Sequence, residues 1–400
     1  MKLTVLCSFL LASLCAQADG GVESTIVNHD ANEPAGFLTG LINRGIERSM
    51  QTAESESELM KFGRQLTDWA TAPKFGGYYV GSYKYSSARG ADGGPGFDTR
   101  LIRAYVDGKV LRHFAYRIQM EMQKTVHLKD AFIEYQQIPE ARIKFGQFKR
   151  PFGFENPMNP WDVGVGDFSQ FTKKLSGFSD YTYPQFNGSN GGRDLGIQLQ
   201  GDFLNVSWGG TKHAFIHYQG GVFNGQGINT KDANRGKDLI GTLQLQPIKG
   251  LFVGVFGWRG SAKHEGIEAI KRRWAAGVKF DRKDWTVRAE YGHEGGSSIA
   301  QLKKLDADRT GSFTDEELRR GNAQALYLTV GAPLTPWLKI YGKWDAFTED
   351  TFKERQEIYS LCPNFQLHKH LQLQAQWNVV HDNASHITHH ELWAMAYVRF

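Results

Sequence analysis

The stretch from Asp306 to Glu317 reads DADRTGSFTDEE and matches the twelve-position pattern of a calcium-binding EF-hand loop. Gly311 stands at the sharp-turn position and Phe313 at the apolar eighth position. Calcium needs several hard oxygen ligands that close around it, and such a loop supplies them. LRRGN follows instead of a long helix, so an acidic solvated loop remains the alternative. The predicted calcium ligands are Asp306, Asp308, Thr310, the backbone carbonyl of Ser312, Thr314 and Glu317.

A second candidate site is a set of basic residues, several of which alternate with apolar residues. In EARIKFGQFKR, this spacing sends Arg142 and Lys144 to the face opposite the apolar residues of an extended strand. Cations that line a narrow aqueous pore concentrate anions, and arginine can bind phosphate through two N–H groups. The alternative is that these cations pair with Glu121, Glu134 and Glu290 and only hold a polar wall together. The candidate anion-binding residues are Arg103, Arg117, Arg142, Lys144, Lys149, Arg150 and Arg288.

Signals for catalysis are weak. His381, His386, His389 and His390 cluster in HDNASHITHH and could bind a transition metal. No carboxylate or thiol pattern accompanies them, so a polar hairpin turn is the favoured interpretation. The sequence contains no nucleophile elbow, phosphate-binding glycine loop or zinc-protease helix. We therefore expect no enzymatic activity and no required cofactor.

The elements that position these residues are indicated by the last ten residues, ELWAMAYVRF. A strand in lipid must present apolar side chains at every second position, and an outer-membrane barrel ends on such a strand with a terminal aromatic residue. The same alternation occurs in HFAYRIQMEMQ and in LQLQAQWNV. The apolar row of the terminal strand consists of Leu392, Ala394, Ala396, Val398 and Phe400. These patterns predict an all-β fold, a transmembrane antiparallel β-barrel of the bacterial outer membrane.

Residues 1–18 have the features of a signal peptide. Lys2 precedes an apolar run, and Ala16-Gln17-Ala18 supplies the small residues that a signal peptidase recognises, so we predict cleavage after Ala18. A lipid anchor on Cys15 is disfavoured because the preceding Leu14 is bulky. Cleavage would leave Cys362 as the last of three cysteines, which excludes an intramolecular disulfide.

The mature chain divides into two parts. Residues 19–73 show helical spacing, which predicts a short periplasmic helical or flexible segment. Residues 74–400 suit about 16 strands around a lumen that side chains alone cannot fill and that therefore encloses water. The stretch from Pro160 to Arg193 lacks alternation and could be either a constriction loop or an extracellular loop. The net charge of +5 is too small to imply nucleic-acid binding.

Residues 129–155, KDAFIEYQQIPEARIKFGQFKRPFGFE, resemble the signature hairpin of the phosphate-selective porin O and P family. The resemblance continues through Asn156–Trp161 and returns in GVFNGQG, and PKFGGYYVGSYKYS is similar to the start of the barrel in Bacteroides-like members. It implies a homotrimeric outer-membrane porin of 16 strands, with a lumen lined by arginine and lysine and narrowed by an inward loop. It also implies a preference for phosphate or pyrophosphate, with Lys149 and Arg150 at the end of the signature hairpin.

The favoured hypothesis is an outer-membrane porin for passive, anion-preferring diffusion. Its expected partners are small anions such as phosphate, the lipid of the outer membrane and further copies of the chain in a homotrimer. The rival hypothesis is a barrel whose extracellular loops bind surface ligands while the pore is incidental. A barrel hydrolase has the least support.

Overall fold

The computed structural model describes residues 70–88, 94–123, 125–183, 191–282, 284–305, 313–349 and 355–400. The predicted signal peptide and residues 19–69 lie outside these ranges, and both assignments remain predictions. Within the described ranges the chain forms a closed barrel of sixteen antiparallel strands, as the sequence predicts. The strands are β1 Lys74–Ser86, β2 Gly96–Val110, β3 Phe114–Glu121, β4 His127–Tyr135, β5 Arg142–Lys149, β6 Arg193–Val206, β7 His213–Phe223, β8 Asp238–Ile248, β9 Leu251–His264, β10 Ile267–Arg282, β11 Trp285–Glu294, β12 Ala323–Thr335, β13 Leu338–Thr348, β14 Gln356–His368, β15 Leu371–Asp382 and β16 Ile387–Arg399.

The barrel closes by pairing its first and last strands. Tyr78 of β1 lies opposite Arg399 of β16. Beyond β16, Phe400 donates its backbone N–H to the carbonyl of Gly77 at 3.1 Å and accepts the Gly77 N–H at 3.0 Å. Lipid offers no hydrogen-bond partner to an open strand edge, so a sheet can span a membrane only when its ladder is closed.

The two faces of the wall meet different surroundings. In β15, the outward Leu373 and Trp377 are 37% and 46% exposed, whereas the inward Gln374 and Gln376 are 2% and 4% exposed. In β8, Leu243 likewise faces outward and is exposed, whereas its neighbours Thr242 and Gln244 face inward and are more buried. The predicted alternation of an apolar outer face with a polar inner face is confirmed.

The two ends of the barrel differ in the length of their connections. The turn between β8 and β9 has only residues 249–250, whereas 150–192 connect β5 to β6 and 295–322 connect β11 to β12 at the other end. Short turns face the periplasm in outer-membrane barrels. Short helical elements lie in the connections: a π-helical turn at Phe171–Leu175, a 3₁₀ turn at Trp208–Gly210, α1 at Ile299–Leu305 and α2 at Asp315–Arg319. None of the helices in the described part is long and apolar enough to span a membrane.

The β5–β6 connection folds into the barrel. We call Arg150–Tyr183 the inward segment; its Phe152, Phe171 and Leu175 are fully buried and pack on the inner wall. The structure thus decides between the two alternatives for the Pro160–Arg193 stretch, because its described part through Tyr183 lies inside. The inward segment and aromatic wall residues pack together inside the barrel and so narrow the lumen that the sequence predicts.

The outward position of Leu243 makes the two-face assignment testable. We expect Leu243→Arg to lower the free energy of unfolding by about 2–4 kcal/mol, the cost of a lipid-facing arginine near the middle of the bilayer. Urea unfolding of the barrel in lipid vesicles measures this change. The adjacent Gln244→Arg variant places the same charge toward the lumen and should lose less than half as much. Equal losses would contradict the assignment of the two faces.

Candidate pore constriction

Polar side chains of the wall bind the backbone of the inward segment. Glu290 accepts the N–H groups of Phe154 and Glu155 at 2.6 and 3.2 Å. On β13, the two carboxylate oxygens of Asp345 accept the N–H of Gln170 at 3.0 and 2.8 Å. Buried backbone N–H groups require partners, and these carboxylates supply them where no strand is adjacent. The inward segment is therefore held at several positions around the barrel.

Arg150 and Arg273 flank the Trp258 ring and hold the inward segment near its C-terminal end. The guanidinium carbons of Arg150 and Arg273 lie 4.6 and 4.4 Å from the Trp258 ring centroid. Arg273 donates to both carboxylate oxygens of Asp180, at 2.7 and 2.8 Å, and also binds Glu294. A bidentate pair fixes orientation as well as distance. Asp180 belongs to the inward segment and Arg273 to β10, so this pair ties the segment to the wall.

Glycine is required where Arg150 approaches the inward segment. The Arg150 guanidinium donates to the carbonyl of Gly177 at 3.1 Å, and Gly177 adopts a φ of +89°. A Cβ at Gly177 would lie only 1.9 Å from the Arg150 Nη2 atom. A side chain at this position would therefore conflict with both the backbone conformation and the arginine contact.

Two aspartates of the inward segment, the buried Asp180 and the half-buried Asp167, stay ionised. Burial by itself would raise the pKa of Asp180, but Arg273 holds that pKa well below its ordinary value. Burial likewise opposes ionisation of Asp167, whose pKa is lowered by Lys173 and Arg100. The stabilisation from each ionised carboxylate is complete above the ordinary pKa of 3.8 and is lost as pH falls below it. These ion pairs thus anchor the segment throughout the neutral range.

A cavity of about 190 Å³, which we call the basic cavity, lies between the inward segment and the wall formed by β3 to β7. The structure brings four of the seven predicted anion-binding residues to it: Arg117, Lys144, Lys149 and Arg150. Arg193 also lines the cavity, and Asp130 is the one carboxylate among the described lining residues. The remaining lining residues are Gln119, Phe132, Phe148, Pro151, Pro157, Asn159, Gln198, Gln200 and Gln219.

The cations of the basic cavity differ in how far their charge is compensated. Arg117 forms a bidentate pair with Asp107 at 2.6 and 2.7 Å, yet its side chain remains 34% exposed. Lys144 lies 3.8 Å from Glu134, which is a loose pair. The ammonium of Lys149 donates only to backbone carbonyls of the inward segment, at 2.8 and 2.5 Å, and no carboxylate of the described chain lies within ion-pair distance. Positive charge therefore remains available to an anion.

The other three predicted anion-binding residues do not reach the basic cavity. Arg103 binds Glu121 and donates to the hydroxyl of Tyr78 at 2.7 Å. Arg142 pairs with Asp202 at 2.6 Å. Arg288 donates to the Val163 carbonyl of the inward segment and pairs with Asp281, both at 3.0 Å. For these three arginines the structure favours the alternative interpretation, in which lumen cations bind protein groups and stabilise the wall.

The alternative interpretation predicts that the lumen cations pair with Glu121, Glu134 and Glu290, and this is only partly correct. Glu121 and Glu134 do approach Arg103 and Lys144. Glu290 instead accepts backbone N–H groups and the hydroxyl of Tyr327, at 2.6 Å. The sequence could not show this, because the contact depends on where the inward segment crosses the barrel.

Sequence reasoning missed two buried cations of β10: Arg273, which anchors the inward segment, and Lys271, which pairs with Asp238 of β8. Lys271 and Arg273 are 1% and 3% exposed, and they alternate with the outward Trp274. The signal was present in IEAIKRRWAAG, where charged and small residues share the inward face. The partners Asp180 and Asp238 are remote in sequence, so the alternation alone could not identify the anchor.

A wider cavity of about 770 Å³ opens near the short turns. Trp161 and Asp162 of the inward segment line it together with Lys279, Arg288 and Lys339 of the wall. Its described lining mixes acidic and basic residues, in contrast with the basic cavity. The wider cavity therefore offers space near the periplasmic end without a strong preference for anions or cations.

The predicted calcium site falls largely outside the described residues, because 306–312 are not among them. Thr314 and Glu317 are described and form a capping box at the start of α2, in which Glu317 accepts the Thr314 N–H at 2.8 Å. Within the described chain, no group of histidine, cysteine and acidic residues could hold a metal ion. His381 contacts Thr388 and His390 stacks on Trp377, as in a polar hairpin.

The Arg273–Asp180 pair predicts how the inward segment responds to its removal. Asp180→Asn removes one of the two carboxylates that compensate the buried Arg273 and leaves Glu294 in place, which should cost about 1–3 kcal/mol of stability. We expect the segment to leave the wall and the single-channel conductance in potassium chloride to rise. Asp232→Asn, which removes the exposed partner of Lys237 in the β7–β8 connection, should change neither property. An Asp180→Asn channel with unchanged conductance would contradict the anchoring role.

Comparisons with known proteins agree with this architecture. No protein-family model and no curated protein sequence matches the chain. An anion-selective porin from Comamonas acidovorans is similar in structure, with a TM-score of 0.61 and 11% identity over 83% of this chain and 100% of that one. OprB of Pseudomonas putida is similar with a TM-score of 0.57 and 10% identity over 87% of this chain and 99% of that one. A trimer form of OmpT from Vibrio cholerae is similar with a TM-score of 0.53 and 11% identity over 83% of this chain and 100% of that one. Such identities establish the fold alone, which is that of an outer-membrane porin barrel.

Proposed function

We propose that the protein is a channel for passive diffusion across the outer membrane and that it prefers small anions. The observation that carries this proposal is the composition of the basic cavity, where five cationic side chains and one carboxylate are found among the described lining residues. The inward segment forms one side of this cavity, so the cations stand where the lumen is narrow. Neither a cofactor nor an energy source is needed for diffusion down a gradient.

The selectivity follows from electrostatics in a confined space. Low-dielectric walls focus the field of the lining charges, which raises the local concentration of anions and lowers that of cations. Arg117 and Lys144 are the best candidates for direct contact, because both side chains are partly exposed and Lys144 is only loosely paired. Arg150 and Arg193 contribute mainly to the field, since both are nearly fully buried and bound to protein groups.

The resemblance to the phosphate-selective porin O and P family makes phosphate or pyrophosphate one candidate solute. Several of the residues that carry it, Lys149 and Arg150 among them, line the basic cavity. The same resemblance implies a homotrimer, and one structurally similar protein is described as a trimer form. We retain membership in this family, phosphate transport and trimer formation as parts of the proposal.

Planar-bilayer recordings test the anion preference. In a potassium chloride gradient, the reversal potential should indicate anion selectivity in the wild type. Changing both Arg117 and Lys144 to glutamate reverses two charges and should reduce the chloride-to-potassium permeability ratio about tenfold, equivalent to about 1.4 kcal/mol.

The matched control is Lys212→Glu, since Lys212 is exposed in the short connection between β6 and β7, away from the basic cavity. It should leave the permeability ratio close to the wild-type value. Cation selectivity in the wild type would overturn the proposal. The absence of any stepwise conductance would favour the rival function, in which extracellular loops bind surface ligands.

We also propose a structural calcium site in the Asp306–Glu317 loop. Its sequence pattern supports the site, and the described flanks agree with a helix–loop–helix arrangement: α1 ends at Leu305 and α2 begins at Asp315. Because the Glu317 carboxylate caps α2, it would have to exchange the Thr314 contact for the ion. Calcium would then stiffen an extracellular loop.

Calorimetry with the full chain tests the calcium site. The wild type should bind one calcium ion, and Asp306→Ala should abolish the binding because the first ligand position is lost. Asp315→Ala removes a neighbouring carboxylate outside the ligand pattern and should bind as the wild type does. Equal calcium uptake by wild type and Asp306→Ala would show that the loop is not a calcium site.

A further inference from the structure

Gln198, a residue that lines the basic cavity, has a buried amide oxygen without a hydrogen-bond partner among the described residues. Gln198 is 3% exposed and lines the cavity, and its Oε1 atom contacts no donor among the described residues. A buried polar atom without a partner costs free energy unless a water molecule or a ligand satisfies it. The atom thus marks a position where a hydrogen-bond donor is needed.

The orientation of this amide is fixed by its neighbours. Glu134 is a carboxylate and can only accept, so the Gln200 amide must direct its NH₂ group toward it. The Oε1 atom of Gln200 then accepts from the Gln198 NH₂ at 2.6 Å and from Gln219 at 3.4 Å. This relay leaves the carbonyl oxygen of Gln198 as the group that needs a donor.

Another side of the basic cavity is apolar. Phe132, Phe148, Pro151 and Pro157 line it, and the Lys144 ammonium lies 4.9 and 5.4 Å from the ring centroids of the two phenylalanines. These side chains offer no hydrogen bonds to replace the hydration shell of an anion that is polar on all sides. They can instead make apolar contacts with a solute that has carbon atoms as well as a charged group.

The Lys149 ammonium contributes the charged side. It donates to two backbone carbonyls, and without an anion its charge has no carboxylate neighbour in the described chain. A carboxylate that enters the cavity would compensate this charge and that of Lys144. The cavity volume of about 190 Å³ leaves room for a molecule of only a few carbon atoms with some water.

We propose that the basic cavity prefers small hydroxy-carboxylates, anions that carry a hydroxyl group and a short carbon skeleton next to the carboxylate. The carboxylate faces the lysines, the hydroxyl donates to Gln198 Oε1, and the carbon atoms cover the phenylalanines and prolines. This inference rests on the proposed function and names the class of solute at the same site. A site that needs a hydrogen-bond donor discriminates against analogues that lack one.

Lactate and propionate provide matched probes, because they share three carbons and one carboxylate and differ by one hydroxyl group. Each is added to the wild-type channel in a planar bilayer that carries a chloride current, and the half-blocking concentration is measured. We expect lactate to block at a concentration about fivefold lower than propionate, the effect of one hydrogen bond of ordinary strength. Phosphate, the third probe, should block less effectively than lactate.

The Gln198→Met variant removes the acceptor and keeps a side chain of similar length. Its half-blocking concentrations for lactate and propionate should become equal. Gln372→Met is the matched control, because Gln372 lines the wider cavity and its Oε1 atom also has no partner in the described part of the chain. It should keep the preference for lactate. The comparison of probes on the wild type remains decisive even if Gln198→Met does not insert into the bilayer.

The outcomes separate the two proposals. An anion-selective channel that lactate and propionate block equally, or that phosphate blocks best, would overturn the hydroxy-carboxylate assignment and leave anion diffusion standing. Retention of the lactate preference in Gln198→Met would likewise overturn it. A channel without anion selectivity would overturn the proposed function itself.

Discussion

A peptide chain packed inside a barrel must find a partner for each of its buried backbone groups, and this constraint accounts for much of the inner wall. Glu290 and Asp345 accept N–H groups of the inward segment, while Arg288 donates to one of its carbonyls. Arg273 completes the attachment through Asp180. These wall residues therefore serve to hold the inward segment in place.

The cations inside the barrel consequently fall into two groups. Arg103 and Arg273 are buried and bound to carboxylates, so they determine the shape of the lumen. Arg117 and Lys144 remain partly exposed beside the inward segment, so under the proposed function they select the ions that enter the narrow region. The position of the inward segment links the two groups, since it forms part of the basic cavity and is itself held by the buried Arg273–Asp180 pair.

Most of the fold could be predicted from the sequence, because the requirement of lipid acts on every second residue. Leu373 and Gln374 are neighbours that face different surroundings, and their types reveal this without any knowledge of contacts. The site was predictable only in part. Alternation identified both Lys144 and Arg288 as inward, but it could not show that Arg288 binds a carbonyl of the inward segment.

The sequence by itself determined a transmembrane barrel of about sixteen strands and the direction of its side chains, because the local period of two separates lipid from lumen; the structure established that the strands number sixteen. Only the tertiary structure decided that the β5–β6 connection folds inward and which cations it leaves accessible. That decision depends on pairs such as Arg273 with Asp180, which are 93 residues apart and come together only when the barrel has closed around the segment. Local periodicity carries no information about such contacts.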